Sequence, residues 1–117
     1  MSKLSTHVLD TSNGVPAAGM KIDFVQNPGH NEKIIKSVVT NDDGRTDELL
    51  LNADEMQVGE YELRFHVSEY FKVMGTTMPD PAFLNVVPIR FTIFDKTQGY
   101  HVPLLCSPWS FSTYRGS

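Results

Sequence analysis

Alternation of apolar and polar residues at period two constrains this chain more than any other feature. Met20, Ile22 and Phe24 alternate with Lys21, Asp23 and Val25, and Tyr61, Leu63, Phe65 and Val67 alternate with Glu62, Arg64 and His66. Ile89, Phe91 and Ile93 alternate in the same way with Arg90, Thr92 and Phe94. Successive side chains of a strand point to opposite faces, so each run predicts a strand with one buried and one wetter face. Residues 32–40 are rich in β-branched side chains and predict another strand. His7–Asp10, Val102–Leu105 and Phe111–Tyr114 complete the set. Turn-forming clusters at Ser12–Gly14, Asn27–Gly29, Asn41–Gly44, Val58–Gly59, Met78–Pro81 and Gln98–Gly99 separate them. Only Ser68–Met74 reads as a helix, with Ser68 as its N-cap and Gly75 as its stop. Seven or eight short strands at this spacing predict an all-β fold, an antiparallel β-sandwich with one short helix, in a single domain over residues 1–117. Phe94, Val25 and Leu105 lie on the face opposite their strands' main apolar set, which points to a partner copy covering one face.

Composition narrows the partners. A net charge of −4 argues against nucleic acid or an anionic membrane as the main partner. The single cysteine, Cys106, excludes an intrachain disulfide and a cysteine-rich zinc site, and its apolar neighbours predict a buried, inert thiol. No apolar run approaches the roughly 20 residues of a membrane helix. The first residues lack a secretory core and the last are not a Ser-Lys-Leu address, so the cytoplasm is the expected compartment.

Few residues are placed for chemistry. Of the four histidines, His30 reads as a turn residue and His66 as a solvated residue on the polar face of its strand. His7 and His101 differ, because each opens an otherwise apolar strand; neither has the spacing of a metal site. Arg45 follows Asp42-Asp43-Gly44, either as a surface arginine paired with those aspartates or as a guanidinium fork presented to a carbonyl or carboxylate. Ser117 lies outside every standard nucleophile context, and no glycine-rich phosphate loop is present. The tail Tyr114-Arg115-Gly116-Ser117 is unusually polar for a segment that leaves a strand, and it reads as part of a site. The residues alone name no substrate.

The stretch His101-Val-Pro-Leu-Leu-Cys-Ser-Pro-Trp-Ser-Phe-Ser-Thr-Tyr-Arg-Gly-Ser117 resembles the C-terminal signature of the 5-hydroxyisourate hydrolases, the transthyretin-related proteins of purine breakdown. Leu4–Asp10, Gly14-x-Pro16-Ala17, Thr40–Arg45 and Pro81–Phe91 extend the resemblance over nearly the whole chain. Cys106, Phe111 and Gly99 depart from the residues common in the family. The resemblance implies a transthyretin-like sandwich of two four-stranded sheets and a homotetramer, a dimer of dimers with active sites in a central channel. It implies hydrolysis of 5-hydroxyisourate, a purine-derived small molecule, to 2-oxo-4-hydroxy-4-carboxy-5-ureidoimidazoline, with no metal or organic cofactor. It places catalysis on His7, Arg45, His101 and Ser117, with His7, Arg45, Tyr114, Arg115 and Gly116 binding substrate or shaping the pocket. The competing expectation is a non-catalytic carrier of a small aromatic ligand on the same fold.

Overall fold

The protein is described here from a computed structural model covering residues 2–116. Ten strands form: β1 (Lys3–Ser5), β2 (Val8–Asp10), β3 (Val15–Pro16), β4 (Lys21–Gln26), β5 (Lys33–Val39), β6 (Gly59–His66), β7 (Val86–Ile93), β8 (Gly99–His101), β9 (Leu104–Cys106) and β10 (Phe111–Thr113). One helix, α1 (Val67–Val73), and a short 3-10 turn at Ala53–Glu55 accompany them. The strands make two four-stranded sheets, ordered β5-β4-β6-β7 and β10-β9-β2-β3, and a parallel pair β1-β8. This is the expected all-β sandwich with one helix. It departs from purely antiparallel pairing at β1–β8 and β2–β9, where segments 3–10 and 99–106 run side by side in the same direction.

Alternation holds over most of each run, with Val25 and Glu62 as buried exceptions. Ile22, Phe24, Leu63, Phe65 and Ile93 are fully enclosed, and Leu4, Val8, Leu104 and Cys106 meet them from the other layer. Stacked rings of Phe24, Tyr61 and Phe91 run across three strands at 5.5 and 6.1 Å. Burial of apolar area on this scale is the main source of cohesion.

Four expectations need correction. The strand read over Val102–Leu105 is split, because Pro103 has no N–H to continue a ladder and the chain steps from β8 to β9 there. Val25 is fully buried within one chain: a register shift between Phe24 and Val25 turns both inward, so Val25 offers nothing to a partner. Ser68 is not the helix cap, since α1 begins at Val67 and Ser68 Oγ donates to Asn85 Oδ1 at 2.6 Å. The Asn85 carbonyl instead accepts the N–H groups of Val67 and Ser68, and so satisfies the first turn. His66 is not a solvated residue, because its Nε2 lies 2.9 Å from Asp23 Oδ2 with both side chains mostly buried. The helix stop is as expected: Gly75 has φ +78°, and the Gly75 and Thr76 N–H groups close on the Lys72 and Phe71 carbonyls.

Cys106 is fully enclosed, and burial together with nearby Asp10 pushes its thiol up to about 12, which keeps it protonated and inert. Asp10 is itself buried; burial raises its carboxyl, but hydrogen bonds from Asn13, Tyr70 and Ser12 outweigh that and hold it below the usual range. Among the described residues, no helix is long and apolar enough to cross a membrane.

Candidate active site

The site grows from one alternation that composition does not reveal. Leu4, Thr6 and Val8 are buried, so Lys3, Ser5 and His7 fall on the opposite side of the same segment. Tyr100 and Val102 are likewise buried, which turns His101 outward. The parallel pairing of β1 with β8 sets Ser5 beside His101, and an antiparallel bridge sets His7 beside Arg45. His101 is bridged on its other side to Gly116, with Gly116 N donating to the His101 carbonyl at 2.7 Å and His101 N donating back at 3.2 Å. Of the seven residues named for the site, His7, Arg45, His101 and Gly116 are thus gathered on one face. Ser117 lies outside the described residues.

Gly44 makes the Arg45 bridge possible. Its φ of +74° is a left-handed conformation, and an added Cβ would collide with the Val8 carbonyl, so only glycine lets the 41–45 turn approach β2. The Val8 N–H then donates to the Gly44 carbonyl at 2.8 Å. Arg45 is exposed and, among the described residues, forms no ion pair with its aspartate neighbours. A pocket of about 240 Å³ adjoins it, lined by Lys3, Ser5, Thr6, Arg45 and the 46–49 segment.

Hydrogen bonding assigns the ring nitrogens. His7 Nε2 lies 2.8 Å from the Asp43 carbonyl oxygen, which only accepts, so Nε2 carries the proton. In the neutral ring the lone pair is therefore on Nδ1. His101 Nδ1 lies 2.9 Å from Ser5 Oγ. Its imidazolium form is disfavoured by burial first, and then by the positive charges of Arg45, His7 and Lys3, so its pKa lies below the ordinary histidine value. A half-buried imidazole whose protonated form is disfavoured, near an exposed guanidinium, suits stabilisation of a developing oxyanion.

The tail divides. Tyr114 is largely exposed and lines an apolar cleft of about 220 Å³ with Ile89, Phe91 and Phe94. The Arg115 guanidinium does not face the His7–Arg45 pair but lies over the Tyr100 ring, 4.7 Å from its centroid. Ser5, Lys3 and the Asp43 carbonyl were missed from the sequence; counting back by two from His7 would have found the first two.

Residues 4–116 match the sequence profile of the HIUase/Transthyretin family. The chain belongs to that family. It is 51% identical over 115 residues to 5-hydroxyisourate hydrolase 2 of Rhizobium meliloti, covering 98% of this chain and 96% of that protein. Among solved structures it is similar to Klebsiella pneumoniae 5-hydroxyisourate hydrolase, with TM-score 0.79 and 32% identity over 99% of this chain and 100% of that one. It is also similar to an (S)-allantoin synthase, with TM-score 0.92 and 46% identity over 99% of this chain, although it spans only 44% of that longer protein. As a family member, the chain has the transthyretin-like sandwich that its two sheets describe.

Proposed function

We propose that this protein is a 5-hydroxyisourate hydrolase, opening the cyclic amide of its substrate with water. The observation that carries the reading is the meeting of His7, Arg45 and His101 on one face, in a chain half identical to a hydrolase of that name. His7 Nδ1, the nitrogen left with a lone pair, takes a proton from water as the oxygen attacks the ring carbonyl carbon. The carbonyl oxygen gains charge and is met by the Arg45 guanidinium and by the neutral His101 ring. With Ser5 donating to Nδ1, His101 presents Nε2–H. The carbon–nitrogen bond then breaks, and the proton held by His7 passes to the leaving nitrogen. Ser117 is proposed to orient the water and Tyr114 to limit the depth of the pocket. Among the described residues, no feature of the site favours the carrier reading, which calls for small or aliphatic groups at the tail.

The homotetramer belongs to the same proposal. It is supported by β7 and β10, which each end a sheet, and by the exposed Phe83–Trp109 ring pair, whose centroids lie 5.9 Å apart. Sedimentation equilibrium checks it, and a cytoplasmic location is checked by cell fractionation. The central test generates 5-hydroxyisourate in place from urate and urate oxidase and follows the loss of its ultraviolet absorbance. Decay faster than in buffer is expected, and decay at the buffer rate would sink the hydrolase reading.

A further inference from the structure

Arg115 was expected to bind substrate, yet its guanidinium is already engaged. Nη2 donates both to Gln98 Oε1 and to the Gly99 carbonyl, each at 2.9 Å. The guanidinium carbon stands 4.7 Å from the Tyr100 centroid and 5.6 Å from that of Phe94, within range of cation–π attraction. The platform under it is rigid. Tyr100 is buried, and its hydroxyl donates to the Asp95 carbonyl while accepting the N–H groups of Phe94 and Asp95. The Asp95 carboxylate accepts from Thr97 and from Gln98 Nε2, so the Gln98 side chain that receives Arg115 is fixed in turn.

One residue further on, Gly116 exchanges two backbone hydrogen bonds with His101. Their contact leaves no slack: a Cβ on Gly116 would lie 3.0 Å from His101 Cβ and 3.1 Å from Cδ2. His101 is thereby bracketed by β1 on one side and the tail on the other. Before Arg115, Tyr114 is mostly exposed, and the nearest side-chain tie is Thr113 Oγ1 to the Pro103 carbonyl.

We propose that Arg115 is a positioning residue that anchors the tail on the Tyr100–Gln98 platform and so holds Gly116 against His101. This rests on the hydrolase reading for its catalytic consequence, but not for the anchoring itself. The planar fork matters, because lysine has no second donor plane to stack and bond at once.

The test compares the full chain with Arg115→Met, Arg115→Lys and Gln98→Leu, reading kcat and KM separately and following tail removal by carboxypeptidase with mass spectrometry. Arg115→Met should lower kcat by about tenfold, the scale of a sub-ångström misplacement, with KM within about twofold. The same variant should lose the tail about tenfold faster than the parent, by release of a segment that must open locally before cleavage. Arg115→Lys should recover only part of both effects, and Gln98→Leu should move both in the same direction by less. A KM raised about tenfold at unchanged kcat would overturn the proposal in favour of direct substrate contact. Unchanged tail removal in Arg115→Met would overturn the anchoring, and that arm decides even if the parent protein turns over no 5-hydroxyisourate. If Arg115→Met does not fold, Gln98→Leu decides by the same two readouts.

Discussion

The two layers of the sandwich are built differently. The β5-β4-β6-β7 sheet has strands of six to eight residues, wholly antiparallel, with the main apolar sets of β4, β6 and β7 packed inward. Its polar groups neutralise each other: Glu62 is nearly buried and accepts from Arg64 Nε and Arg90 Nε, and Asp23 meets His66. The opposite layer and its β1-β8 annex use strands of two or three residues and carry Ser5, His7, His101 and Gly116 at or beside their ends. An unbroken ladder consumes its backbone donors and acceptors within itself. A broken one frees a carbonyl such as that of Asp43 to fix a tautomer, and lets side chains from distant segments converge. Regularity here serves cohesion, and interruption serves chemistry.

Mutations test that division. The largest effect is expected for His7→Gln, which removes the proposed base: kcat should fall by about 10²- to 10⁴-fold while the melting temperature stays within about 2 °C. Steady-state kinetics and calorimetry on one preparation would decide it; a coupled loss of stability would blur the contrast between the layers. Glu62→Ala, in the regular sheet, should do the reverse. It removes the buried carboxylate shared by Arg64 and the half-exposed Arg90, leaving Arg64 paired with Glu32 alone, and should cost about 1 kcal/mol in urea unfolding, with kcat unchanged. A fall in kcat would mean that the regular sheet also feeds the site. Gly116→Ala comes next: the added Cβ presses on His101, and kcat should drop by about tenfold with little change in stability.

The smallest effect concerns pH. Positive charge from Lys3 adds to burial, Arg45 and His7 in disfavouring protonated His101. Lys3→Gln relieves one of those causes, so the His101 titration midpoint, followed by proton NMR, should rise toward the ordinary histidine value. A midpoint that falls would contradict the electrostatic account of the site.

The long strands were legible because burial on one face imprints period two directly on the sequence, as at Tyr61, Leu63 and Phe65. Period two says which face a residue occupies, but not which strand lies next to it. Hence His66 read as solvated until β4 placed Asp23 beside it. Ser5 and His101 are 96 positions apart, and no local pattern announces that their strands are neighbours. The Ser68 cap failed for a similar reason, since its competitor is the carbonyl of Asn85, supplied by the chain's return. His7, Arg45, His101 and the tail were legible through family resemblance rather than through spacing. The position of the Arg115 side chain was legible in neither way.

The parallel pairing of β1 with β8 also governs when the site comes into being. Residues 3–7 are made early and His7 can meet Arg45 soon after, but Ser5 has no His101 beside it, and His101 no Gly116, until residues 99–116 have been made. Contacts of such long sequence separation close late, because the loop between them must be ordered first. A nascent chain with most of its core already collapsed therefore holds no assembled pocket, and activity should begin only after residues 99–116 have been made.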